Sequence, residues 1–168
     1  MGLIDRLPRI HAVQTEGAYP LRVAYDAVVD RIFDEIEDSM PQNDAERASF
    51  IVEGVSPYLV EDTLRYAAAH RSEFMRPWPT SPRSVAGGIL DDETYDWLMI
   101  VRGMLATGGF PIVVSEDRLR EAHAAARRHT DILVDPTGSA GLAGALELAE
   151  KNLLRSDETL ALLFTGVE

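Results

Sequence analysis

Apolar residues recur at helical spacing through Leu21–Glu37, where Val23, Ala27, Ile32, Phe33 and Ile36 share a face with acids opposite. Pro20 precedes them at a position that the first turn of a helix tolerates. The same period returns in Ala45–Gly54 and in Val60–His70, the second through Leu64, Tyr66 and Ala67. Asp91-Asp92-Glu93 reads as the opening of a further helix that carries Tyr95, Leu98, Met99, Arg102 and Leu105 and closes at Gly108-Gly109. Ser115 is a good N-cap, with Glu116 and Asp117 in the turn where the helix dipole favours anions, and this helix is expected to run to about Arg128. A last helix is predicted over Gly141–Leu153.

Between these stretches lie short apolar runs of the kind that form strands: Arg9–Gln14, Phe110–Val114, Ile132–Val134 and Leu160–Phe164. Met40–Asp44 is a break, and Phe74–Pro82 holds three prolines and cannot be a regular element. The alternation of strands and helices predicts an α/β fold, three-layered with a mainly parallel sheet. Four short strands make a small sheet that looks like part of a larger one. The 168 residues suit one domain, 1–168, within which 40–82 reads as a helical insertion.

Composition narrows the function classes. A hydrophobic content of 46% with 26% charged residues is that of a globular chain. The net charge of −12 argues against binding to nucleic acid, which needs clustered Lys and Arg over phosphates. With no cysteine, disulfides, thiolate metal sites and a cysteine nucleophile are excluded. No run approaches the ~20 apolar residues of a membrane span, and the first residues lack the apolar core of a signal peptide, so a cytoplasmic location is the expectation. Lys151 is the single lysine among 16 basic residues. It lies near the end of an amphipathic helix beside Glu150, where a solvated lysine complements the dipole rather than serving as a catalytic amine.

The candidate chemistry gathers in two turns at predicted strand ends, the edge where open α/β sheets bind ligands. The first is Asp135-Pro136-Thr137-Gly138-Ser139-Ala140-Gly141, and the second is Thr165-Gly166. Gly138, Gly141 and Gly144 follow a G-x-x-G-x-x-G spacing that is neither a dinucleotide fingerprint nor a Walker loop. Small residues there suit either close packing of the helix on the sheet or backbone contact with a ligand. His11, His70, His123 and His129 show no metal-ligand spacing. Ser139 lacks the G-x-S-x-G context of a hydrolase nucleophile.

Together the two turns resemble the C-terminal region of fold type II, tryptophan-synthase-like, pyridoxal-phosphate enzymes, above all threonine synthases and threonine dehydratases. The resemblance rests on Asp135–Ala140, on Ser156-Asp157-Glu158-Thr159 and on Leu163-Phe164-Thr165-Gly166. Leu3–Arg9 and Val13–Ala18 resemble the segment that follows the family's phosphate-binding loop, and Gly108-Gly109 before Ile112–Ser115 fits as well. Residues 1–30 and 83–168 carry the likeness; 40–82 do not.

The resemblance implies a pyridoxal 5′-phosphate site in which Thr165 offers its hydroxyl to the pyridine nitrogen. A neutral hydroxyl there leaves the ring a softer electron sink than an aspartate would. Asp135, Thr137, Gly138 and Ser139 would then lie beside the ring or the substrate, with Asp135 standing where the family carries Glu. The family's Schiff-base lysine and phosphate loop would lie before Met1. The expectation is therefore the C-terminal portion of a threonine-synthase-like lyase that converts O-phosphohomoserine to threonine. By itself it would be inactive, and it would be completed by an N-terminal half or partner subunit. A serine/threonine dehydratase-like fragment and a non-catalytic ligand- or partner-binding module are the alternatives. The exposed edges of a partial sheet predict a homo-oligomer.

Overall fold

The computed structural model describes residues 7–166. It is a mixed α/β structure, about 52% helical, with a small two-stranded parallel sheet. Tertiary contacts gather the chain into two units. One takes residues 7–12, 21–76 and 93–111, the other 13–20, 77–92 and 112–166.

The first unit is helical. Helix α1, Pro20–Ile36, buries Leu21, Ala24, Tyr25, Val28, Val29, Ile32 and Phe33, an i, i+3, i+4, i+7 stripe. Val23, expected on this face, is 49% exposed, because the stripe starts from Leu21 and leaves Val23 on the opposite side. Helix α2, Asp44–Gly54, is capped by Asn43, whose side-chain oxygen accepts from the Glu46 N–H at 2.9 Å. Helix α3, Pro57–Ala69, carries Pro57 at its start, and the short α4, Arg71–Phe74, follows.

Helix α5, Trp97–Thr107, begins later than the acids at 91–93 suggest. Asp92 is held outside it, its carbonyl accepting the Trp78 N–H at 2.9 Å. Gly108 ends α5 in the left-handed conformation, φ 74°, which glycine adopts without a Cβ penalty. Phe33 packs on Phe50, and Phe74 stacks on Trp97. Arg22 binds both carboxylate oxygens of Asp44, at 2.7 and 2.9 Å, and also Asp26 at 2.7 Å.

Tyr25 is buried in this core, and its hydroxyl donates to the Gly109 carbonyl at 3.2 Å. Burial, reinforced by the charges of Asp44 and Asp26, raises its pKa well above the usual tyrosine value. A raised value favours the neutral phenol in the folded state. The contribution is therefore complete below the unfolded pKa of about 10 and is lost as pH climbs from there toward the folded value. Urea unfolding at pH 7 and at about pH 11 should show this alkaline loss, and Tyr25→Phe should shrink it. The same substitution should cost about 1 kcal/mol at neutral pH, by leaving the Gly109 carbonyl without its donor.

The second unit holds the sheet. Strands β1, Val13–Thr15, and β2, Ile112–Val114, pair in parallel, with Val13 opposite Ile112 and Thr15 opposite Val114. Helix α6, Glu116–His129, follows β2 directly. Its cap is Ser115, which accepts from the Arg118 N–H, and Arg127, Arg128 and His129 occupy its negative end. Helix α7, Ala140–Glu150, lies on both strands and on α6. Gly144 permits this approach, since a Cβ there would run into the Val13 side chain. Val114, Leu119, Ala122, Val134 and Ala143 are sealed between these elements.

The sheet is smaller than the apolar runs predict. The first strand is centred two or three residues beyond Arg9–Gln14. Neither Ile132–Val134 nor Leu160–Phe164 forms a strand; Val134 makes a single bridge, and Leu163 is 78% exposed. Both runs have strand-like composition, but a strand exists only with a hydrogen-bonded neighbour, and composition does not supply one. The segment 40–82 contains the helices α2, α3 and α4. Leu3, Ile4, Asp5 and Arg6, part of the family resemblance, lie outside the described residues.

Candidate functional site

The chain turns sharply between Val134 and α7. Asp135 closes the turn by accepting the Gly138 N–H on Oδ1 at 2.6 Å, while its own carbonyl accepts the Ser139 N–H at 3.0 Å. Ser139 is fully buried. Its hydroxyl donates back to the carbonyls of Asp135, at 3.0 Å, and Pro136, at 3.2 Å. Thr137 is half-buried, and its Oγ1 accepts the Gly88 N–H at 3.0 Å. Asp135 and Ser139 thus spend hydrogen-bonding capacity on shaping the turn, and Thr137 spends its own on the segment that carries Gly88.

The second predicted turn arrives at the same place. The Asp135 N–H donates to the Gly166 carbonyl at 3.2 Å. Gly138 and Gly166 face each other so closely that a Cβ on Gly138 would enter the Gly166 backbone, and one on Gly166 would enter the Asp135 carboxylate. Thr165 is exposed beside this contact. The structure therefore unites all five predicted positions, Asp135, Thr137, Gly138, Ser139 and Thr165, in the second unit. It also divides the glycine pattern. Gly138 and Gly144 are required by packing, whereas a Cβ at Gly141 would make only ordinary contact, with the Leu163 carbonyl at 3.7 Å.

Neither a protein-family model nor a curated protein matches the chain.

A cofactor must find partners at each of its ends. Thr165 suits a ring nitrogen, because its hydroxyl is accessible and makes no hydrogen bond among the described residues. The aldehyde end finds none. Lys151 Nζ is paired with Glu147 Oε1 at 3.0 Å along α7, and its side chain is 58% exposed. An exposed, ion-paired amine lacks the desolvated or cation-flanked pocket that makes a lysine a nucleophile. The described residues thus do not make up a pyridoxal-phosphate site by themselves. No catalytic step through it follows from them.

Lys151 belongs to an ion-pair network between α6 and α7. Arg118 reaches Glu121 at 2.6 Å, Glu147 at 3.5 Å and Glu150. These groups line an open groove of about 350 Å³. The network ties two helices that are already packed together, and no group of three His, Cys, Asp or Glu among the described residues is arranged to hold a metal ion. Among those residues, too, no helix is long and apolar enough to cross a membrane.

One functional-looking residue escaped the sequence reading. Glu116, in the first turn of α6, accepts the Thr15 hydroxyl on Oε1 at 2.9 Å and the Val85 N–H on Oε2 at 2.8 Å. Its backbone N–H donates to Glu16 Oε1 at 3.2 Å. Burial works against the charged form, but hydrogen bonds from Ser84, the Val85 N–H and Thr15 outweigh it and hold the carboxyl below its usual range. Glu116 therefore stays ionised while joining the carboxyl ends of both strands to the segment 77–92. In the sequence it reads as nothing more than a dipole-complementing acid.

Proposed function

We propose that this chain is the C-terminal portion of a pyridoxal-phosphate lyase of the threonine-synthase-like kind, and that Thr165 is its partner for the cofactor's ring nitrogen. The observation that carries the reading is the meeting of two motifs distant in sequence. Asp135–Ala140 and Thr165-Gly166 were each singled out by resemblance, and the Asp135 N–H donates to the Gly166 carbonyl.

In this reading the cofactor, when bound, supplies the electron sink for elimination and replacement chemistry. The chain's own residues orient the ring. Asp135, Gly138 and Ser139 fix the backbone of the turn, Gly166 brings the last segment against it, and Thr165 is left with its hydroxyl free to donate or accept. The lysine and the phosphate-gripping loop come from the complementary portion, so the chain alone is expected to be inactive.

The test is reconstitution. The lysine- and glycine-loop-bearing half of a threonine synthase, fused ahead of this chain, should release phosphate from O-phosphohomoserine when pyridoxal phosphate is added. Thr165→Val, which keeps the shape and removes the hydroxyl, should lower that rate about tenfold, the effect of losing one hydrogen bond to a polar ring atom. Formation of a 2-oxo acid from serine or threonine instead would reassign the substrate to the dehydratase class. A folded fusion with no turnover of either kind would overturn the reading in favour of a binding module.

A further inference from the structure

The segment Trp78–Asp92 has the construction of an Ω-loop. Its ends are pinched by the Trp78 N–H donating to the Asp92 carbonyl at 2.9 Å. The loop between them is compact without forming a ladder: a single 3₁₀ turn, Gly87–Ile89, and prolines at 79 and 82 that lack N–H donors. Its neck is steadied by Trp78 packing edge-on against Tyr19.

The crown of the loop lies on the carboxyl edge of the β1–β2 pair. The Arg83 carbonyl covers Gly17 so closely that a Cβ there would sit 2.6 Å from it. Ala86 is fully buried, like a small plug, while Arg83, Val85, Gly87 and Gly88 are exposed. Two side-chain acceptors hold the crown, Glu116 to the Val85 N–H at 2.8 Å and Thr137 to the Gly88 N–H at 3.0 Å. A segment with one fully buried small side chain and its backbone bonds near solvent is of the type that opens locally while the rest of a domain stays folded.

We propose that Trp78–Asp92 is a lid over the carboxyl edge of the sheet, hinged at its pinched neck and latched shut by the Glu116 carboxylate and the Thr137 hydroxyl. Opening would uncover the Thr15 hydroxyl, the Glu116 carboxylate and the outer face of the Asp135–Ser139 turn. In the closed state Thr15 is completely buried although it stands at a strand end. The lid rests on hydrogen bonds within this chain and stands without the cofactor.

Hydrogen exchange and limited trypsin digestion on the whole chain test it, because Arg83 sits in the crown and offers trypsin a cut. Glu116→Gln leaves one acceptor oxygen for the three donors Ser84, the Val85 N–H and Thr15, and Thr137→Val removes the other latch. In the double variant, exchange across 83–89 and cleavage after Arg83 should each accelerate about tenfold, the effect of losing a net hydrogen bond. The amides of α6 and α7 should exchange as before. Thr137→Ser, which keeps the hydroxyl, should behave as the parent chain. Unchanged exchange at 83–89 in the double variant would overturn the latch. So would equal acceleration throughout α6 and α7, which would make these bonds ordinary stabilising contacts, or a Thr137→Ser chain that opens like Thr137→Val.

Discussion

Gly138→Val should detach the segment Leu163–Gly166 from the turn before α7 and lower the stability of the second unit by about 1–3 kcal/mol. The physical reason is the absence of room. At this position a Cβ would enter the Gly166 backbone and press on the Val134 side chain. The Val134 neighbour is fully buried, and the opposite wall is main chain rather than the yielding tip of a long side chain. Relief would come from moving Gly166 away, which breaks the hydrogen bond from the Asp135 N–H. Urea denaturation should register the loss, and exchange at the Asp135 amide should register the detachment. Gly141→Ala makes the control. A Cβ there meets only the Leu163 carbonyl, at 3.7 Å, and the change favours the helix, so stability should rise by up to about 1 kcal/mol. A Gly138→Val chain as stable as its parent would mean that the two turns are not in contact.

Trp97→Ala should be the more damaging change, costing about 3–5 kcal/mol in the first unit. The indole is 3% exposed at the start of α5 and stacks on Phe74, ring centroids 6.2 Å apart and planes 14° from parallel. Phe74 in turn meets Tyr66 of α3 edge-on. Removing the indole therefore takes away transfer free energy and leaves a void lined by α4 and α5. Chemical denaturation followed by far-ultraviolet dichroism measures the cost. Trp97→Phe, which keeps an aromatic face for Phe74, should recover at least half of it. A loss under about 1 kcal/mol for Trp97→Ala would show that this ring does not anchor the helices.

The helices were the legible part of the fold, because each carries its own signal. The period within α1, the Ser115 cap and the left-handed Gly108 stop depend on residues no more than a few positions apart. The strands were less legible because pairing is a relation between distant segments. Phe110–Val114 and Leu160–Phe164 are equally apolar, yet only Ile112–Val114 of the first run finds a partner, at Val13–Thr15. The apposition of the Asp135 turn with Gly166 is compatible with the sequence pattern and is not dictated by it. What the pattern could not reveal was the use made of each polar group. Thr137 and Ser139 read alike as hydroxyls in a glycine turn. One holds a neighbouring loop, and the other is folded back on its own backbone. Glu116 was hidden for the same reason, since its partners Thr15 and Val85 lie 101 and 31 residues away in sequence.

That separation has a consequence for how the molecule comes into being. During synthesis β1 emerges about a hundred residues before β2, its strand partner among the described residues, and closing a loop of that length costs entropy that no local contact repays. The helices of 20–74 can form from nearest-neighbour signals as they appear, whereas Val13–Thr15 must wait as an unpaired edge. Formation of the parallel pair is thus the expected slow step of folding, and the interval before it is when the young chain is most open to mispairing with other chains.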